Sequence, residues 1–294
     1  MSAGDVVPDL TLSAMTMRGR PFGDRVAAVA AAGYTGIGLT VEDYRTAVAA
    51  GLTDEAMLDC LREHGLRVTE VESPWDWAGD LEEDDREQAL LAHVARTFGI
   101  DQVSVVLFAR HEHDVLVERL TRLGRALAAA RPGPAVQVAL EFMPYSHLRT
   151  LSAAWAVVRD CPLGNVSLLA DNWHLLRSGG LGQLDAVPAR AITSVQLDDV
   201  RGEPLADQVR ESRYHRELPG PGAAELLRRV RAKGVTPRLA VELMSADWDR
   251  RPAPEVAAAT WAAAVRCLDE ARCLDEARCL GDSPQPEERT IRHE

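Results

Sequence analysis

The sequence has no excess of positive charge. Its 294 residues carry 33 Lys and Arg against 45 Asp and Glu, a net charge of -12. Phosphate neutralisation supplies most of the affinity for DNA or RNA, so this balance argues against a nucleic-acid partner. No N-terminal run resembles a signal peptide, and no apolar stretch is long enough to cross a bilayer. A cytoplasmic protein with no membrane partner is the expectation. A disulfide framework is missing too. Of five cysteines, Cys60 and Cys161 stand alone in helix-like segments. Cys267, Cys273 and Cys279 belong to the repeat "RCLDEARCLDEARCL", whose period is six. Six residues advance a helix by about 240°, so the three thiols point in three directions and cannot gather a metal. The repeat is expected only to lengthen a terminal helix. The polar segment "DSPQPEERTIRHE" beyond Gly281 is expected to be disordered. The working division is therefore residues 1–280 as one domain and 281–294 as tail.

The chain is 46% hydrophobic and 27% charged, ordinary for a globular enzyme. Short β-type runs alternate with segments whose apolar residues recur at helical spacing. The strands are expected at Leu10–Met15, Gly36–Thr40, Arg67–Glu72, Gln102–Phe108, Val136–Phe142, Val166–Asp171, Ile192–Leu197 and Arg238–Leu243. Several intervening helices end at a glycine, among them Gly33, Gly65, Gly99 and Gly234. No glycine-rich phosphate turn follows the first strand, and no Pro/Gly linker divides the chain. Eight β–α units without that turn predict an α/β fold, a single-domain (β/α)8 TIM barrel, rather than an open doubly wound sheet.

A barrel presents its active site at the C-terminal ends of its strands. Those ends carry Glu141 in "VQVALEFMP", Asp171 in "VSLLADNWH", Gln196 in "ITSVQLDDV" and Glu242 in "RLAVELMS". Adjacent strands lie about 4.8 Å apart, so four oxygen-bearing side chains can converge in one mouth. Clustered carboxylates repel unless a cation or protons compensate. An oxygen set with one imidazole nearby suits Mn, Mg or Co, and ranks zinc below them. Each residue could also be an ordinary polar strand end. Four in a row, each closing a hydrophobic run, favour a site.

Glu141, Asp171 with His174 three residues on, Gln196 in "VQLDD" and Glu242 in "VELM" resemble the xylose isomerase-like TIM-barrel superfamily. The loop "HRELPGPG", His215–Gly222, is similar to that superfamily's loop between strands seven and eight. The resemblance covers about Leu10 to Cys267. It implies a divalent-metal enzyme acting on a small polyhydroxylated carbonyl compound, with Glu141, Asp171, Gln196 and Glu242 as ligands. Members include sugar isomerases and epimerases, hydroxypyruvate isomerase, inosose dehydratase and 3-dehydroshikimate dehydratase. Dimers and tetramers are common among them, so a homo-oligomer is compatible. Gln196 looks more like the hydroxypyruvate isomerase and dehydroshikimate dehydratase branches. Ketose 3-epimerases carry a second glutamate six residues after the first, where this chain has His147.

A divalent ion on a carbonyl and its neighbouring hydroxyl acidifies the adjacent C–H, and a carboxylate or imidazole can then take the proton. Glu141 and Glu242 are the candidates for combined ligand and acid/base work. His174 is the candidate to orient substrate or shuttle a proton, or else to support a ligand carboxylate. Arg216 is expected to contact substrate, since a guanidinium grips hydroxyl, carboxylate or phosphate, and Glu217 is a weaker candidate beside it. Glu70 and Glu72 share one face of strand three and could line the cavity. Trp75 and Trp77 could form an apolar wall. His111 and His113 follow strand four and could reach the mouth, although loop histidines are more often solvated.

The leading expectation is an isomerase or epimerase, with a dehydratase (lyase) second. A DNA-repair endonuclease of the same superfamily would use Asp171 and His174, but needs a further H-x-D-type pair late in the chain, and the "DDVRGEP" that follows Gln196 has no histidine. A non-catalytic binding barrel is the remaining alternative, and the intact ligand positions argue against it.

Overall fold

The computed structural model describes residues 9–281, with side chains described from 9 to 272. Eight parallel strands pair in sequence order: β1 (Leu10–Leu12), β2 (Gly36–Thr40), β3 (Arg67–Ser73), β4 (Gln102–Val105), β5 (Gln137–Glu141), β6 (Val166–Asp171), β7 (Ile192–Leu197) and β8 (Arg238–Val241). β8 pairs with β1, so the sheet closes into a (β/α)8 barrel. Helix α1 (Phe22–Ala32) follows β1. Helices α2 (Val41–Ala49) and α3 (Asp54–Glu63) follow β2, and α4 (Leu81–Phe98), α5 (His113–Ala128), α6 (Leu151–Asp160) and α7 (Asn172–Arg177) follow the next four strands in turn. Helices α8 (Gln208–Tyr214) and α9 (Pro221–Ala232) follow β7, and α10 (Ala246–Asp249) and α11 (Ala253–Gly281) follow β8.

Every expected strand is present, but β5 ends one residue early, at Glu141, and three others end two or three residues early. β1 stops at Leu12 because Ser13 caps a single tight turn, Ala14–Met17, its hydroxyl accepting from the Met15 amide. β4 stops at Val105 and β8 at Val241, yet their apolar runs continue. Val106, Phe108 and Met244 line a cavity at the barrel mouth, so their hydrophobicity serves lining rather than pairing. Gly33 and Gly99 end α1 and α4 with φ of 105° and 66°, a left-handed turn that favours glycine. The six-residue repeat continues α11 as a helix, as expected, and Cys267 is buried with its Sγ 3.3 Å from Gly220 O. The side chains of Cys273 and Cys279 and the whole 282–294 tail lie outside the described residues. Among those described, Cys60, Cys161 and Cys267 are free thiols, and no helix is long and apolar enough to cross a membrane.

The period of two sorts each strand into an outer and an inner row. The outer row is apolar: Leu10, Ile37, Leu39, Val103, Val138, Leu168, Val195 and Val241 pack against the helices in one core. The inner row carries unusually few of the bulky branched residues typical of such barrels. Register places Glu70 beside Gln102, Ser104 beside Ala139, Ala139 beside Ser167, and Leu169 beside Ser194. Glu72, Glu141, Asp171, Gln196 and Glu242 continue this inner row toward the C-terminal rim. Asp171 and Gln196 are direct register partners, and Gln196 sits beside Ala240, two residues before Glu242.

The segment after α8 is tied to the barrel by backbone. Asp199 and Glu217 exchange hydrogen bonds of 3.0 and 2.9 Å, and the Arg216 amide donates to Met244 O at 3.1 Å. The Gly222 amide donates to Asp199 Oδ2 at 2.8 Å. A Cβ on residue 222 would lie 2.6 Å from Asp199 Oδ1, which explains the glycine in "PGPG". Gly222→Ala should therefore cost about 1–3 kcal/mol of stability, as overpacking does, read from chemical denaturation. An unchanged midpoint would show that the loop moves aside freely.

Candidate active site

Glu141 ends β5, Asp171 ends β6, Gln196 lies on β7 and Glu242 follows β8 directly. All four are buried. Asp171 also caps α7, its Oδ1 accepting from the His174 amide at 2.7 Å. That cap turns the chain inward, so His174 stands over the same mouth. Ligand atoms of Glu141, Asp171 and His174 lie within 4.8 Å of one another. His174 Nε2 is 3.1 Å from Glu141 Oε1, but the pair is not aligned as a hydrogen bond, and Glu141 Oε1 has no hydrogen-bond partner. Trp173 and Tyr145 pack on the imidazole, with ring centroids 5.3 and 5.8 Å away.

Arg216 is the centre of the charge arrangement. Its guanidinium is fully buried. Nη1 lies 2.8 Å from Asp171 Oδ2, 2.5 Å from Asp198 Oδ2 and 2.9 Å from Glu242 Oε2. Burial alone would favour its neutral form, but these carboxylates override burial and hold Arg216 charged. Glu242 Oε1 accepts from Ser13 Oγ and Gln196 Nε2, each at 2.9 Å. Gln196 thus uses its amide nitrogen on a neighbouring carboxylate and leaves Oε1 buried without a partner.

One guanidinium does not balance this many acids. Burial pushes Glu72, Glu141, Asp198 and Glu242 above the usual carboxylate range, and mutual repulsion adds to it. Burial lowers His174 to about 4 despite the nearby Asp171 carboxylate, so the imidazole is neutral at physiological pH. Excess buried carboxylate together with orphaned Glu141 Oε1 and Gln196 Oε1 is the donor set a divalent cation requires. The residues present could hold such an ion: Glu141, Asp171 and His174 bring their ligand atoms close together, and Gln196 and Glu242 of the expected set stand beside them.

These groups open onto a cavity of about 90 Å³. Glu72, Glu141, His174, Arg216 and Glu242 line its acidic floor, and Met15, Pro74, Val106, Phe108 and Met143 form an apolar wall. Two expected substrate contacts lie elsewhere. Trp75 is buried away from the cavity lining and donates to Asp84 Oδ1 at 3.2 Å, so it packs α4 rather than walling the site. Glu217 is engaged by Arg201 on the outer side of the loop. Arg216 does line the cavity, but its Nη1 is committed to carboxylates. Trp77 is buried and donates to Val106 O at 2.9 Å. His111 pairs with Asp76 and His113 with Asp160, both at 2.9 Å and outside the cavity lining.

Four contributors escaped the sequence reading. Asp198 holds Arg216 and also accepts from the Trp173 amide at 2.8 Å. Ser13 holds Glu242. Ser212 Oγ is 3.0 Å from the Tyr145 hydroxyl and 3.1 Å from Arg216 Nη2. The adjacent acids in "QLDD" were a signal for Asp198, whereas the serines and Tyr145 offered none.

Residues 26–271 match the sequence profile of a family described as xylose isomerase-like TIM barrels. The chain belongs to that family. No curated protein sequence matches it. Among solved structures, it is similar to a xylose isomerase-like TIM barrel/4-hydroxyphenylpyruvate dioxygenase fusion protein, with TM-score 0.81 and 18% identity. That match covers 96% of this chain and only 46% of the fusion protein. It is similar to the IOLI protein, solved with a bound zinc atom, with TM-score 0.78 and 16% identity over 90% of this chain and 99% of that one. It is also similar to AsbF of Bacillus anthracis, a probable 3-DHS dehydratase, with TM-score 0.67 and 17% identity over 87% and 98% of the two chains. At such identities these likenesses carry the fold alone.

Two outcomes follow from the charge arrangement. Arg216→Leu strands three buried carboxylates and should destabilise the protein by about 3–5 kcal/mol in denaturant melts. One layer below the site, burial and the Glu242 charge push Glu70 up to about 8, with Arg238 opposing. An acid with a raised folded pKa holds its proton more tightly when folded. Its contribution to stability is full below its ordinary value of 4.5 and is lost as pH rises through about 8. Glu70→Gln should flatten that decline in stability measured from pH 4.5 to 8.

Proposed function

We propose that the protein is a divalent-metal-dependent isomerase or epimerase of a small polyhydroxylated carbonyl compound. The observation that carries this reading is Glu141, a buried carboxylate whose Oε1 has no hydrogen-bond partner and faces the cavity beside a neutral imidazole. Glu242 is held by Ser13, Gln196 and Arg216, so it is fixed in place where Glu141 is not. The two glutamates come from strands three apart around the barrel and flank the floor from different sides. Glu141, Asp171, Gln196 and Glu242 would hold a divalent ion, which would supply polarisation of the substrate carbonyl and so acidify the neighbouring C–H. Glu141 takes that proton. Its raised affinity for a proton suits a group that must hold one before returning it. Glu242 returns a proton from its own side, and His174 steers the hydroxyl. The apolar wall limits water, which would otherwise exchange the held proton. Glu72 completes the floor as a substrate contact. Oxygen donors favour Mn, Mg or Co, and the zinc in the IOLI structure keeps zinc among the ions to test.

A second reading, dehydration of a cyclic β-hydroxy ketone, is favoured by Gln196. It is a neutral donor among carboxylates, it follows the dehydratase pattern, and AsbF is a structural neighbour. In that case the proton held at the floor leaves with a hydroxyl instead of returning to carbon.

Metal analysis of the purified chain should find about one divalent ion per chain, removable by chelation. Hydroxypyruvate, ketoses, inososes and 3-dehydroshikimate should be tried with the reloaded protein in deuterated solvent. Deuterium should enter at the carbon beside the carbonyl. Glu141→Gln should lower that exchange by about 10²–10⁴-fold. A chain without divalent ion, whose occupancy and stability ignore Glu141→Ala, would sink this function.

A further inference from the structure

The mouth holds one cation that the site does not use. Arg213 lines the cavity together with Glu141 and Glu242, is exposed, and its guanidinium makes no hydrogen bond or ion pair among the described residues. Arg216, the other arginine in the lining, is committed to Asp171, Asp198 and Glu242, and Arg177, Arg18 and Arg201 are paired with Glu211, Asp249 and Glu217. Arg213 is also held in place. Its helix α8 is pinned by the preceding Ser212, which meets Tyr145 and Arg216, and its carbonyl accepts from Arg18 Nη2 at 3.0 Å. An unpaired guanidinium on an anchored helix, above a floor of carboxylates, is suited to an anion arriving from outside. The acidic floor itself would repel that anion, so only the rim can take it.

Resting on the hydroxy-carbonyl reading above, we infer that the substrate carries an anionic group, a carboxylate or a phosphate, which Arg213 holds at the rim while the carbonyl end meets the floor. Arg213 and the committed Arg216 are the cations in this lining, and Phe108 and Met143 contribute apolar surface to it. A cavity of about 90 Å³ matches a substrate with a short carbon chain between the two ends. Arg213 thus selects charged over neutral hydroxyketones, in a protein whose net charge of -12 would otherwise disfavour anions.

Calorimetric titration of the Mn-loaded protein with dihydroxyacetone, hydroxypyruvate and dihydroxyacetone phosphate tests this with one neutral hydroxyketone and two charged three-carbon analogues, one a carboxylate and one a phosphate. At least one charged form should bind about tenfold or more tighter than dihydroxyacetone, and which one identifies carboxylate or phosphate. Arg213→Gln should bring the charged form down to the neutral level, and Arg213→Lys should keep part of the preference. Arg210→Gln removes the same charge from the same helix but from outside the cavity lining, and should keep the preference. Equal binding of all three compounds overturns the inference alone, as does a preference that survives Arg213→Gln or disappears equally in Arg210→Gln. Absence of binding by all three to a chain with metal in place removes the hydroxy-carbonyl reading as well.

Discussion

The buried contact between Arg216 and the carboxylates of Asp171, Asp198 and Glu242 is the constraint on which the site depends. A guanidinium with no exposure must find anions, and carboxylates that deep must find cations. Their mutual need draws the β7–β8 segment down across the barrel mouth. The same contact fixes Asp171, which caps α7 and so aims His174. It fixes Glu242, which in turn receives Ser13 and Gln196. Four elements distant in sequence are thereby registered on one small volume. The compensation is incomplete, and that incompleteness is chemically useful. It leaves Glu141 with a raised proton affinity and a free oxygen, and it leaves room for further positive charge.

The polar inner row below the site extends this logic. Glu70, Gln102, Ser104, Ser167 and Ser194 replace the bulky branched residues that usually fill a barrel. Cohesion therefore rests on the outer row, where strands meet helices, and on the ladder that closes β8 onto β1. Such a division lets the interior carry charge without dissolving the core. It also explains why the floor of the mouth is acidic in depth rather than at one layer.

Much of the fold was legible along the chain. Period-two alternation and glycine stops mark eight units, and Gly33 and Gly99 take the left-handed turns expected of them. The polar strand ends that converge on the mouth were legible for a related reason. A strand end is where a hydrophobic run breaks, and Glu141, Asp171, Gln196 and Glu242 each mark such a break. Strand lengths were less legible, because Val106, Phe108 and Met244 are apolar for the sake of the cavity and not the ladder. Trp75 and Glu217 misled because proximity along the chain to a site residue says nothing about which side of a strand or loop faces inward. Ser13, Tyr145 and Ser212 were invisible, since a lone hydroxyl has no local signature.

The sequence by itself determined the barrel, its direction and the four oxygen donors at its C-terminal rim, because alternation and polarity breaks are local properties of a chain. Only the tertiary structure decided that Arg216 is a buried counter-ion, that Asp198 belongs to the site, that Trp75 and Glu217 do not line the mouth, and that the Arg213 guanidinium stands there without a partner among the described residues. Those are outcomes of charge balance among groups up to 229 residues apart, as Ser13 and Glu242 are. Electrostatic pairing depends on distance in space and on burial, and neither is written in the spacing of residues along the chain.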